Sequence, residues 1–203
     1  MNISDRSRPG GAPLFLAIAA GLAVMTAGLL ALAGDPIAAM RLVIQWTART
    51  SLLLFLGAFL ASATARLWPG PASGWLLANR RWLGLGFAFF HLIHAGGILL
   101  LHDADPVLFW QLTNPVSVVS GSIAYGMIAL MAATSIDRVA AAMGGRAWAR
   151  LHTAGLWLLW VVFLVSNGKR IGNSLLYLVP VIILLAALAV RIAARRHARP
   201  AAG

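Results

Sequence analysis

The chain contains no cysteine and no glutamate. The first absence excludes disulfides, cysteine-held iron–sulfur clusters, thiolate haem ligation and covalent CxxCH haem attachment. Any cofactor must be held by histidine, methionine, tyrosine or carboxylate, or by contacts to its periphery. The second absence leaves five carboxylates, all aspartate. Asp5 lies near the N-terminus, and Asp35, Asp103, Asp105 and Asp137 fall between apolar runs. No carboxylate pair stands inside an apolar stretch, which argues against a proton relay or a transporter built on acidic side chains. Ser-His-Asp, HExxH, P-loop and GxGxxG arrangements are also missing.

Charge of either sign is scarce. Only 10% of residues are charged and 61% are hydrophobic, against about 25% and 45–50% in soluble domains. Such a chain cannot cover its apolar surface with polar groups, so its solvent is lipid. The net charge of +11 comes from arginines in short clusters between apolar runs: Arg6/Arg8, Arg80/Arg81, Arg146/Arg150 and Arg191/Arg195/Arg196. This distribution fits the positive-inside rule and contact with anionic membrane lipid. It does not fit nucleic acid, for which no aromatic-interleaved soluble module exists here.

A spanning helix needs about 20 mostly apolar residues. Six stretches qualify: Leu14 to Ala33, Leu42 to Ala63, Trp82 to Leu101, Val116 to Thr134, Leu151 to Ser166, and Ser174 to Val190. The fifth is short and is expected to extend toward Trp148. All six read as helices, because an open strand edge cannot be satisfied in hydrocarbon. The first has a basic start and an A-L-A triplet, but its apolar core is longer than a signal peptide's, so an uncleaved helix is expected. Arginine-rich segments at Arg66 to Arg81, at Asp137 to Arg150 and after Val190 contrast with an acidic loop H102-D103-A104-D105-P106. The expected fold is therefore an all-α, integral membrane six-helix bundle with both termini cytoplasmic. Residues 1–13 form a cytoplasmic tail, 14–190 the transmembrane domain and 191–203 a basic cytoplasmic tail. Short loops leave no soluble catalytic domain.

Ionisable residues inside spans are functional-site candidates by default. They are His91 and His94 in the third span, His152 at the start of the fifth, and Arg49 in the second. His91 and His94, three apart, project from neighbouring positions on one helical face. Imidazole is a common axial haem ligand, and Gly96 and Gly97 would let a flat macrocycle or a second helix approach closely. The plainer reading is that each imidazole hydrogen-bonds a neighbouring helix, and for His152 an interfacial polar role competes strongly. His102 and His197 read as loop and tail residues. Five tryptophans (Trp68, Trp75, Trp82, Trp110, Trp148) mark span ends.

Several stretches resemble the ferric reductase-like transmembrane family. They are N79-R80-R81-W82-L83-G84-L85 with His94 following, W46-T47-A48-R49-T50, Ala65-Arg66 and Leu151-His152. Over residues 35 to 190 the chain is most similar to the haem-binding membrane subunit of the bacterial protein-methionine-sulfoxide reductase system. That resemblance implies a b-type haem protein of the bacterial inner membrane, with FMN or a quinone as further candidate cofactors. It implies electron flow from a cytoplasmic flavin reductase to a periplasmic molybdopterin enzyme. His94 matches the ligand of helix three and His152 the first histidine of helix five. Where the family has a second histidine on helix five, this chain has Val165. Counted along the spans, His152 is offset from His94 by about 15 Å of helix, and His91 narrows that offset by about 4 Å.

The leading expectation is an electron-transfer subunit of an oxidoreductase, with haem iron candidates His94, His91 and His152, rather than a stand-alone enzyme. The alternative is a non-catalytic scaffold or accessory subunit of another membrane complex that kept the fold and lost normal haem ligation.

Overall fold

A computed structural model describes residues 11–197. Asp5, Arg6, Arg8 and the tail beyond His197 lie outside the described residues. The helices are α1 (Ala12–Leu32), α2 (Pro36–Leu67), α3 (Pro71–Ala104), α4 (Pro106–Leu112), α5 (Pro115–Ala133), α6 (Asp137–Met143), α7 (Gly145–Gly168) and α8 (Leu178–His197), with a 3-10 turn at Leu175–Tyr177. No strand occurs among the described residues. Six helices are long and apolar enough to cross a membrane, α8 counting together with the turn before it. This is a multi-pass, all-α membrane protein.

Starts of helices follow a repeated local chemistry. Asp35, Asp105 and Asn114 each cap a helix by accepting a backbone N–H three residues on, from Ala38, Leu108 and Ser117 at 2.7, 2.9 and 2.9 Å. A proline follows each cap, where its missing N–H costs nothing and its fixed φ suits the first helical position. These D-P and N-P steps cut the chain more sharply than hydropathy does. Stretches that hydropathy assigns to loops are therefore helical. Arg66 sits in the last turn of α2, residues 71–81 open α3, His102 ends α3, and Asp137–Met143 forms α6. Arginine and tryptophan can occupy helix outside the hydrocarbon because their ends snorkel to water.

The chain divides into two compact units, Met1–Leu100 and Leu101–Gly203. In the first, α2 buries Val43, Thr47, Ser51, Phe55, Phe59 and Ala63. They recur every fourth residue, forming an inclined ridge of the kind that packs between grooves of neighbouring helices. Phe55 and Phe59 stack with centroids 5.3 Å apart, and Phe87 of α3 tilts against Phe55 at 5.7 Å. Helix α1 is tied in at its start, where the Gly11 N–H donates to Oδ1 of buried Asn79 at 2.9 Å. Leu22 is its one buried residue among those described, and the rest of its surface suits lipid.

In the second unit, α5, α7 and α8 enclose Ile128, Leu159, Trp160 and Leu184. The Trp160 indole N–H donates to the Leu184 carbonyl at 3.0 Å, a buried bond between α7 and α8. Gly155 lets α7 approach α5 so closely that a Cβ there would collide with Met131 and press on Met127. We expect Gly155→Leu to destabilise the protein by about 1–3 kcal/mol through overpacking, read as a lowered unfolding midpoint in detergent. Gly28→Ala, on open α1 surface, should leave the midpoint in place. Equal midpoints for Gly155→Leu and wild type would contradict the close α5–α7 approach.

Candidate functional site

Helix α3 carries its buried positions on one stripe that includes Leu83, Phe87, Phe90, Gly97 and Leu101. His91 and His94 lie along this stripe, both half-buried. Their ring centroids are 5.7 Å apart and tilted by 54°, so the pair presents two differently oriented imidazoles.

His94 is held tightly. Its Nδ1 lies 2.8 Å from the Ile44 carbonyl oxygen and 3.1 Å from Thr47 Oγ1, both on α2. A carbonyl only accepts, so the Ile44 bond requires the proton on Nδ1. The Thr47 hydroxyl in turn donates to the Val43 carbonyl at 2.6 Å, which turns its oxygen lone pairs toward His94. In this tautomer Nε2 carries the ring's basic lone pair. That nitrogen has the chemistry to ligate a metal or accept a proton.

Close approach of the backbones makes the bond possible. Gly97 lies one turn beyond His94, and a Cβ there would stand 3.0 Å from Ile44 Cγ1. At Gly96 a Cβ would meet nothing within 4 Å. Of the two glycines, Gly97 serves the helix–helix contact.

For His91, Nδ1 lies 3.4 Å from the Phe87 carbonyl of its own helix, and its ring tilts against the Phe87 ring at 4.4 Å.

Arg49 lies away from this cluster. Two residues after Thr47 on α2, it is rotated by roughly 200° around the helix. It is exposed, with its guanidinium over the Trp46 ring at 5.4 Å. The structure does not bring Arg49 to the histidines.

His152, in the second turn of α7, belongs to the second unit and has its own partners. Nε2 lies 3.0 Å from Thr134 Oγ1, and Thr134 donates to the Leu130 carbonyl at 2.8 Å. The ring stacks on Trp148 at 4.1 Å and 25°, and the Trp148 indole donates to the Thr134 carbonyl at 2.9 Å. Buried Thr134 thus receives both side chains, and the cluster fastens the end of α5 to α7. Val165, farther along α7, is apolar and 58% exposed. No group of three or more His, Cys, Asp or Glu able to hold a metal occurs among the described residues.

Sequence reading missed Thr47 and Thr134. The signal was present in outline: each is a hydroxyl among apolar residues, one helical ridge away from a histidine-bearing helix. Hydropathy treats threonine as nearly neutral and gives no hint of its partner.

Loss of the Thr134–His152–Trp148 cluster should cost about 1–2 kcal/mol. We expect His152→Ala to lower the unfolding midpoint in detergent and alter Trp148 fluorescence. Unchanged values for both would remove this cluster from the list of stabilising contacts.

Compared with known proteins, residues 27–164 match a family described as ferric reductase like transmembrane component. No curated protein and no solved structure matches the chain.

Proposed function

From the premise that this chain belongs to the ferric reductase-like transmembrane family, we propose that it is a haem-binding membrane subunit carrying electrons between partner proteins. Membership makes it a transmembrane electron-transfer component. The observation that supports a haem in this particular chain is the Nδ1-protonated His94, whose basic nitrogen is Nε2.

The donor set fits the group. With no cysteine in the chain, imidazole is the natural axial ligand for a b-type haem. His94 is the primary candidate, and His91 on the same stripe is the second. His152 is a third, although its Nε2 is engaged with Thr134. A bound haem would supply a one-electron couple. The protein's own part is to fix the ligand ring, exclude water with the phenylalanines around Phe87, and keep the ring's proton on Nδ1, donated to the Ile44 carbonyl.

In this reading the arginine-rich segments face the cytoplasm of a bacterial inner membrane. The electron donor is a cytoplasmic flavin reductase, and the acceptor is a periplasmic molybdoenzyme of the methionine-sulfoxide-reducing type. Connections too short for a soluble catalytic domain support placing that chemistry on partners.

One observation favours a second reading, a scaffold that kept the fold without haem. Val165, where the resemblance calls for a histidine, is apolar and exposed. Oxidised and dithionite-reduced spectra of detergent-purified protein separate the two. We expect a sharp reduced α-band and a stoichiometric pyridine haemochrome, both lost in His94→Ala. A colourless, well-folded protein from haem-replete cells would sink the electron-transfer reading and favour the scaffold.

A further inference from the structure

We propose that Thr47 is a positioning residue that supplies, beside the Ile44 carbonyl, a second acceptor to the His94 Nδ1–H and so tunes the basicity of His94 as a ligand. The consequence for iron rests on the haem reading above, whereas the two-acceptor arrangement stands on geometry alone.

Thr47 is fully buried on the ridge of α2. A buried hydroxyl needs an acceptor for its proton, and Thr47 has one in its own helix at Val43 O, 2.6 Å away. The hydroxyl therefore does not need His94 for its own satisfaction. What it adds is a lone pair 3.1 Å from His94 Nδ1, beside the Ile44 carbonyl at 2.8 Å. Two acceptors from one helix thus converge on one ring nitrogen.

Were the proton on Nε2 instead, Nδ1 would point its lone pair at the Ile44 carbonyl oxygen. Two acceptors would then face each other in an apolar setting, leaving a polar group unsatisfied. The Thr47 hydroxyl could relieve this only by giving up its short bond to Val43. A valine at this position would keep the volume and remove one of the two acceptors.

On His91 the corresponding Nδ1 contact is to the Phe87 carbonyl of its own helix at 3.4 Å, beside the Phe87 ring. His94 is the one that reaches two acceptors on α2. Gly97 completes the arrangement by letting Ile44 come within reach of α3.

Partners on the far nitrogen of a ligand histidine set its orientation and raise its basicity, and losing one typically costs about 10–100-fold in metal affinity. Stronger donation from Nδ1–H gives the ring more imidazolate character and favours ferric iron. Removal of Thr47 Oγ1 should weaken haem retention and raise the midpoint potential.

The test uses full-length protein in detergent, labelled with 15N-histidine, with His94 assigned by comparison with His94→Gln. Side-chain nitrogen spectra are recorded on dithionite-reduced samples of wild type, Thr47→Val and Thr47→Ser. Haem-to-protein ratio and midpoint potential are measured in parallel. Wild-type His94 should be protonated on Nδ1. Thr47→Val should keep the proton on Nδ1 but move its N–H resonance upfield as the second acceptor is lost, lose haem about 10-fold more readily and titrate at higher potential. Thr47→Ser, which restores the hydroxyl, should return all three toward wild type.

A wild-type His94 protonated on Nε2 overturns the proposal. So does a Thr47→Val protein identical to wild type in Nδ1–H resonance, haem retention and potential. A colourless wild type with Nδ1-protonated His94 whose N–H resonance moves in Thr47→Val supports the second acceptor and overturns the haem reading.

Discussion

An imidazole N–H within hydrocarbon must find an acceptor. His94 meets this constraint by reaching across to the Ile44 carbonyl. Much of the first unit follows from that bond. It joins α3 to α2 beside the close contact of Gly97 with Ile44, and Thr47 stands where its oxygen adds to the same donor. The carbonyl can serve because it has two lone pairs and its helix uses only one. Sequence, packing and candidate chemistry meet at a single shared oxygen.

The second unit solves an equivalent problem with different atoms. Thr134 sits at the end of α5, where the last carbonyls have no further turn to bind. Trp148 fills that vacancy with its indole N–H, and His152 stacks beside it while engaging the Thr134 hydroxyl. The nitrogen used differs: Nδ1 in His94 and Nε2 in His152. Neutral imidazole has only one proton, so this choice decides which nitrogen remains basic. Two histidines that look alike in a hydropathy profile thus differ in chemistry.

Hydrophobic runs alone reveal the six spans, because about 20 apolar residues leave little alternative in lipid. Span edges are less legible, since arginine and tryptophan interrupt hydropathy without interrupting the helix. The D-P and N-P steps around Asp35, Asp105 and Asn114 carry that information instead. His94 stands out as a polar residue in an apolar run, yet Thr47 does not, because its role depends on a contact across 47 positions of chain. Arg49 stands out by its charge, and helical geometry turns it to the surface over Trp46, apart from the histidines.

The hydrogen bond between Gly11 and Asn79 has a consequence for the α2–α3 hairpin. It levels the start of α1 with Asn79, and α1, at 21 residues, is about 31 Å long, close to the thickness of the hydrocarbon core. Helix α3 begins at Pro71, so about 12 Å of it precedes that level. The matching end of α2 runs with it as far as Leu67. The hairpin bend, with Arg66, Trp68 and Trp75, therefore extends about 12 Å beyond the level at which α1 begins.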